Sequence, residues 1–498
     1  MAAAVGIFGV LDGRDDVVRY HQHLSQPSEA ELGLCEICGG DSDLCTHLPI
    51  ISIDTGGQKV PGKPITDAEG KITGYETSDA GEMQIAVSLK TYEKEGVYHH
   101  LEDAPDQTAT ALFRVRGKSS RSFDKSNYKL KLVDEKHPEQ NVSLGLLGME
   151  PGDEWSLHGP FFDKTLMRNY MWMNLSAQVM GYAPNVRFCE VVLDGEYMGV
   201  YVLMETIDVA EGRVDLTQYR QGDPVFSYIV RFEPDGDPMK QLENFTFYTT
   251  RLEPGVQAEL VYPGRQNQTE AVKTYVERDF NDIEHRLYSY EMRKDPDSCW
   301  DYLDLDSFVD YYILQEFLAV NDMFSASTYF YKDVRGKLHI GPVWDYNNVL
   351  NNFFEDLSDP GFLLSQRGWY GQLMKSERFV ERVIYRYRQL RQGVLSEDNI
   401  EQYARDVQQW LGSAVDRNFE RWGYSFDASL LESYERRNPS SYGDRASMTL
   451  EELNPSSYGE AMDWMLSYAR ERGQWLDVNI ETLRQYCHPS KNANEKLD

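Results

Sequence analysis

The stretch Asn321-Asp322-Met323-Phe324-Ser325-Ala326-Ser327-Thr328-Tyr329-Phe330-Tyr331-Lys332-Asp333-Val334-Arg335-Gly336-Lys337-Leu338-His339-Ile340-Gly341-Pro342-Val343-Trp344-Asp345-Tyr346-Asn347-Asn348 reads as strand, turn, strand. Thr328 to Lys332 and Leu338 to Trp344 are rich in aromatic and β-branched residues, and Asp333 to Lys337 supplies a turn in which Gly336 frees the backbone. An antiparallel hairpin returns the chain to the side it left. Asp322, before the first strand, and Asp345, after the second, are therefore expected together at the open end. One carboxylate to accept a proton and one to hold a divalent metal is the minimal equipment of a phosphoryl-transfer site.

The plainer reading of these acids is caps and turn charges. Against it, Asp345 ends a nearly continuous apolar run, where an uncommitted carboxylate is costly. The order acid, strand, turn, strand, acid is also that of the catalytic and metal-binding segments of protein kinases. Ser327, five residues after Asp322, and Asn347 and Asn348, just after Asp345, add oxygen donors for a metal.

Outward from the hairpin, an apolar helix from Asp306 or Ser307 to Val320 delivers Asp322. Upstream, to about residue 260, strands dominate: Pro49 to Asp54, Met83 to Leu89, Thr110 to Arg116, Tyr128 to Val133, and a hairpin of Arg187 to Leu193 and Tyr197 to Met204 around Asp194-Gly195. One helix interrupts them, capped by Asp163, striped by Leu166, Met167, Tyr170, Met171, Leu175 and Val179, and ended by Gly181. Downstream the period is helical over Phe379 to Leu390, Ile400 to Phe419 and Tyr458 to Tyr486. The hexapeptide Asn-Pro-Ser-Ser-Tyr-Gly at 438–443 and 454–459 marks a loop between helices and is too short for an architectural repeat. The class is α+β: a tail with a cysteine knuckle (1–48), a core at 49–355 with its β-rich lobe to about 260 and a catalytic segment at about 300–355, and a helical part at 356–498.

The chain of 498 residues carries 50 basic and 81 acidic side chains, a net charge of −31, which argues against nucleic acid or an anionic membrane as partner. No stretch reaches the length of a membrane span. Met1 to Leu11 is apolar and short, and reads as a packed or disordered terminus or as the remnant of a signal or anchor that begins upstream. Of six cysteines, Cys35, Cys38 and Cys45 cluster with His47, four ligands in thirteen residues. That spacing fits a small structural Zn²⁺ knuckle, a disulfide, or unligated thiols.

Gly57 to Pro64 nearly matches a phosphate-binding loop, but Pro64 replaces the hydroxyl that should hold magnesium and no helix follows, so it reads as a surface turn. The run Arg114, Arg116, Lys118, Arg121, Lys125, Lys129 and Lys131 is stronger, with Asp124 its only acid. Cations on two strands around the small-residue turn Gly117-Lys118-Ser119-Ser120 make a cradle for polyphosphate, or else a solvated sheet face. Glu205, ending a strand, is placed to pair with one of those lysines or to be an ordinary strand-end charge. Arg168 and Asn169, early in their helix, line the same cleft or decorate the surface.

Six stretches in order resemble the spore-coat CotH kinase family: Leu48 to Asp54; Arg116 to Ser120 with Tyr128 to Lys131; Asp163 with Leu166 to Asn169; Gly195 to Tyr201 through Glu205; Asn321-Asp322; and Pro342 to Asn347. The tail Arg472-Gly473-Gln474-Trp475-Leu476-Asp477 is compatible with it. The resemblance implies an atypical protein-kinase-like fold, use of ATP with Mg²⁺ or Mn²⁺, and phosphorylation of Ser or Thr in secreted or spore-coat proteins at a bacterial surface. It implies Asp322 as the catalytic acid and Asp345 as the metal ligand, with Asn347 and Ser327 beside it. Lys131 would contact phosphate, Lys129 second, with Arg116, Ser119, Ser120, Glu205 and Arg168 lining the nucleotide. Ser327 and Asn347 stand where the family often has Asn and a second Asp. That departure keeps open a non-catalytic coat or surface scaffold, and nucleotide transfer such as AMP attachment is a third outcome.

Overall fold

A computed structural model describes residues 19–39, 44–68, 71–210, 212–234, 240–242, 256–320, 324–352, 361–430, 452 and 454–488. The thirteen strands among them are β1 (Ile50–Asp54), β2 (Pro64–Thr66), β3 (Ile72–Tyr75), β4 (Ile85–Tyr92), β5 (Gln107–Val115), β6 (Tyr128–Val133), β7 (Glu154–His158), β8 (Val186–Leu193), β9 (Glu196–Glu205), β10 (Tyr228–Pro234), β11 (Val256–Tyr262), β12 (Thr328–Lys332) and β13 (Leu338–Ile340). The longer helices are α1 (Arg168–Met180), α2 (Glu270–Leu287), α3 (Leu305–Leu318), α4 (Glu377–Arg391), α5 (Glu397–Leu411), α6 (Ser413–Trp422) and α7 (Tyr458–Asn479). The expected α+β class holds.

Seven strands close into a barrel in the order β1-β4-β5-β6-β7-β9-β8, a closure the sequence reading did not anticipate. The β1 strand completes it, antiparallel to β4 (Ile50 opposite Tyr92) and parallel to β8 (Ile50 opposite Glu190). On β4, Ile85, Val87 and Leu89 point inward and Ala86, Ser88 and Lys90 are exposed, the alternation of a one-sided strand. The β8 and β9 strands are buried on both faces. Cys189, Val191, Tyr201 and Leu203 fill the barrel, while Phe188, Val200 and Val202 pack outward in one core with α1 and the helical half. The α6 helix closes one barrel end: Asn418 Oδ1 accepts from Val200 N at 3.1 Å and from Lys125 Nζ at 2.7 Å, and Trp422 Nε1 donates to the Met198 carbonyl at 2.8 Å. Gly199, at φ 99°, is needed beneath it, because a Cβ there would collide with Asn418.

The hairpin belongs to a separate sheet, β11-β10-β12-β13. Its first strand matches expectation; its second ends at Ile340 rather than Trp344, cut by Gly341-Pro342, since proline offers no ladder donor. Phe330 faces Ile340 and Lys332 faces Leu338. The turn residue with positive φ is Arg335 (57°), not Gly336; Asp333 bonds the Val334 N–H through its side chain and the Gly336 N–H through its carbonyl. The α3 helix starts one residue before the expected positions, with Asp304 accepting from Ser307 N at 2.8 Å as the cap. The period over Ile400 to Phe419 is two helices broken at Gly412 (φ 49°), and α2, capped by Thr269, was not foreseen. The second hexapeptide opens α7 through Ser457; the first, like Met1 to Leu11, lies outside the described residues. Among the described residues no helix is long and apolar enough to cross a membrane.

Residues 19–39 and 44–48 lie across barrel and helices. Arg19 donates to Asn174 Oδ1 at 2.9 Å and to the Ala183 and Pro184 carbonyls at 2.6 Å; His23 meets the Tyr170 hydroxyl at 3.0 Å; Glu29 accepts from Ser413 N at 2.9 Å. Burial lowers His21 to about 4, helped by the charges of Arg19 and Arg187. It lowers His23 to about 3, helped by His21, and His158 to about 3, against Asp163. Each imidazole is neutral when folded and takes a proton on unfolding below about pH 6.5, so its stability contribution is complete above that pH and is lost as pH falls towards the folded values. Unfolding free energy should therefore drop between pH 6.5 and 5 by up to about 2 kcal/mol per histidine. Urea titrations at the two pH values check this, and His23→Gln should flatten the slope.

Candidate functional site

On β6, Tyr128, Leu130 and Leu132 fill the barrel, so alternation puts Lys129 and Lys131 on its outer wall. Register places Arg114 and Ser156 on either side of Lys129, and Leu112 and Glu154 on either side of Lys131. Arg116, just past β5, donates to Ser156 Oγ. Lys129 pairs with Glu154 at 2.6 Å. Burial lowers the Lys129 pKa despite that partner; burial also opposes ionisation of Glu154, yet the Lys129 charge and hydrogen bond hold its pKa below the usual range. Among the described residues the Lys131 side chain makes no hydrogen bond or ion pair, and its charge reaches Glu154.

This cationic wall faces the end of the hairpin. The Arg116 guanidinium lies 5.6 Å from the Trp344 ring centroid, one residue before Asp345. Lys118 Nζ is 2.9 Å from Glu233 Oε1 on β10. Glu233 Oε2 accepts from Ser327 N at 3.3 Å and lies 3.7 Å from Arg231. Arg231 binds Glu259 and donates to the Tyr329 hydroxyl at 3.3 Å, and the Tyr329 ring lies 6.4 Å from Trp344. Asp345 is exposed on a left-handed residue (φ 66°, ψ 51°) that opens the turn Tyr346–Asn348. There Asn347 Nδ2 donates to Asn348 Oδ1 at 2.7 Å and the Asn347 carbonyl accepts from Asn352 at 2.9 Å. Of ten non-glycine residues with positive φ among the described residues, seven fall between Ala319 and Asn351. Such conformations persist only where the surroundings enforce them, and they cluster at functional sites.

Several expected site residues do other work. Asp322 lies outside the described residues. Glu205 does not pair with a lysine. It stands opposite Trp155, on the barrel-interior face, whereas the lysines share the face of Glu154. Its Oε2 accepts instead from Asn185 N and Nδ2 at 2.8 and 3.0 Å and from the Tyr182 hydroxyl at 3.3 Å. Arg168 is 3% exposed and binds Asp163 Oδ1 at 2.6 Å and the Val349 carbonyl at 3.0 Å. It thereby ties the start of α1, whose N-cap is Met167 rather than the expected Asp163 although Asp163 Oδ2 accepts from Arg168 N, to the loop after Asp345. Asn169 is buried as well. Lys125 leaves the basic run for the barrel end, and Arg121 stacks on Tyr75 at 4.2 Å. Ser119 and Ser120 open a 3-10 turn beside Lys118. The Gly57 to Pro64 turn leads into β2, not a helix.

Sequence reasoning missed Arg231, Glu233 and Glu259. The signal was present: in Tyr228-Ile229-Val230-Arg231-Phe232-Glu233-Pro234 both charges fall on one strand face. It also grouped His47 with the three cysteines, whereas the structure brings a different histidine to them. His100 joins Cys35, Cys38 and Cys45, all four donor atoms lying within 4.8 Å of one another. His47 is engaged elsewhere, its Nε2 2.6 Å from the Trp410 carbonyl and its Nδ1 3.4 Å from Glu29.

Taken together, the wall can neutralise a polyphosphate and the Asp345 turn can offer oxygens to a divalent cation. No curated protein matches the chain. The family described as CotH kinase protein matches residues 113–476, from within β5 to within α7 and so across the basic wall and the Asp345 turn alike, and the chain belongs to that family.

Proposed function

We propose that this chain is a protein kinase that transfers the γ-phosphate of ATP to Ser or Thr of secreted or spore-coat proteins. The observation that carries the reading is Arg116 resting on Trp344, which sets the cationic barrel wall against the Asp345 turn. The donor set suits the implied groups: Asp345 and Asn347 would hold Mg²⁺ or Mn²⁺, and Arg116, Lys131 and Lys129 would hold the phosphates. When bound, the metal would neutralise charge on the transferring phosphoryl group.

The residues of the chain do the positioning. Glu154 anchors Lys129 so that its ammonium is held in place before a ligand arrives, the role first expected of Glu205. Arg168 steadies the strained loop that presents Asp345 through the Val349 carbonyl. Asp322 is the acid proposed to orient the acceptor hydroxyl. A nucleotide that binds only the folded chain stabilises it by about 2.7 kcal/mol at a hundred times its Kd. Millimolar ATP with Mg²⁺ should therefore raise the melting temperature, and γ-labelled ATP with a Ser- and Lys-rich peptide should label the peptide. Absence of both effects would favour a binding scaffold, and label carried over only from α-labelled ATP would favour nucleotide transfer.

A further inference from the structure

We infer that Cys35, Cys38, Cys45 and His100 form a structural zinc site that fastens the N-terminal segment to the barrel. Three thiols and one imidazole converge although His100 lies far along the chain from the cysteines. The backbone brings them together: Thr46 and His99 form an antiparallel bridge, with hydrogen bonds of 3.2 and 2.7 Å, which sets Cys45 and His100 side by side. Cys35 and Cys38 sit on a tight turn closed by Gly39 N donating to the Cys35 carbonyl at 2.9 Å. Tyr98, two residues before His100, donates its hydroxyl to the Gly33 carbonyl at 2.7 Å and holds the turn from the other side.

The distances suit the metal. His100 Nε2 lies 3.3 Å from Cys38 Sγ and 3.6 Å from Cys35 Sγ. Sulfur and nitrogen bound to one tetrahedral zinc, at about 2.3 and 2.0 Å, stand about 3.5 Å apart. The opposite ring nitrogen also has its partner: His100 Nδ1 is 3.3 Å from Asp103 Oδ2, which also accepts from His100 N at 2.9 Å. A carboxylate behind a histidine fixes the ring and leaves Nε2 as the donor atom, the usual outer arrangement of a zinc ligand. Three thiolates and an imidazole select zinc over harder cations, and four protein ligands leave no open position for catalysis. Three cysteines also cannot all pair with one another, and none of the three is in a disulfide here.

The experiment is metal analysis of the full chain expressed with zinc and purified without chelator. About one zinc per chain is expected, together with six reactive thiols after denaturation. His100→Ala and Cys38→Ser should lose the zinc, whereas His47→Ala should keep it. Cobalt substitution, read as thiolate charge-transfer and tetrahedral d–d bands, reports the same donor set without reference to stability. A metal-free chain, fewer than six thiols, or zinc retained in His100→Ala and lost in His47→Ala would each overturn the assignment.

Discussion

Asp345→Asn should lower phosphoryl transfer by about a thousandfold, the scale of loss when one preorganised charge stabiliser is removed. The substitution is chosen for the backbone. Asp345 sits at φ 66°, where asparagine is tolerated almost as well as glycine, whereas alanine would add strain of about 1 kcal/mol. The side chain is exposed, and the neighbouring anchors, Arg116 on Trp344 and Arg168 on the Val349 carbonyl, do not involve its charge. Thermal unfolding of the variant, measured alongside, separates a lost charge from a lost fold. Asp322→Ala should lose as much. Initial rates of label incorporation at saturating Mg²⁺ or Mn²⁺ provide the measurement; transfer within about tenfold of the unaltered chain in either variant would remove that acid from the mechanism.

The largest expected effect on stability is at Arg472. Its Nη2 lies 2.8 Å from Glu316 Oε2, its Nε donates to the Glu316 carbonyl at 2.8 Å, and its Nη1 donates to the Gly361 carbonyl at 2.9 Å. Glu316, on α3, also accepts from Leu363 N and Leu364 N at 2.9 and 2.6 Å. Both side chains are buried, so removing the cation leaves a carboxylate without compensation. Arg472→Ala should cost about 3–5 kcal/mol, measured by urea or thermal unfolding. Burial already raises the Glu316 pKa, with Arg472 opposing it. In the variant the carboxyl should resist ionisation further, so the loss should shrink at acid pH as the group takes a proton. Replacing Glu316 as well should not restore full stability, because the Leu363 and Leu364 amides would then lack an acceptor. A loss below about 1 kcal/mol would mean that the pair is solvated in solution. Because α3 leads into Asp322, transfer should fall in the same variant.

The elements that local chemistry specifies were legible. Tyr128 to Lys131 alternates, Thr328 to Lys332 forms the strand that its aromatic and β-branched residues suggest, and Asp194-Gly195 adopts the positive φ values its turn requires, 51° and 82°. What depended on distant chain was not. Parallel pairing of β1 with β8 leaves no mark in either strand, so closure of the barrel had no local signature. The helical period runs in phase through Gly412, which hid the break between α5 and α6. Proximity in sequence favoured His47 as a cysteine partner, whereas the bridge at Thr46 delivers His100. Seven cations in one run suggested a single cradle, but strand faces and the barrel end divide them: Arg116 and Lys118 reach the hairpin sheet, Lys129 and Lys131 stand on the outer barrel wall, and Lys125 is consumed inside. The pairing of Glu205 with a lysine failed for the same reason, since one residue of register separates the two faces.

The barrel closes through a strand that lies outside the family match. The matched residues begin at 113, yet β1, β4 and most of β5 precede that point, and in the barrel order β1 joins β4 to β8. A polypeptide trimmed to the match would keep the cationic residues and the Asp345 turn but would lose the hoop that holds β6 and β7 in register. It would also bare the β8 edge to intermolecular strand addition. The stretch by which kinship is recognised and the stretch that must fold together are thus two different lengths of the same chain.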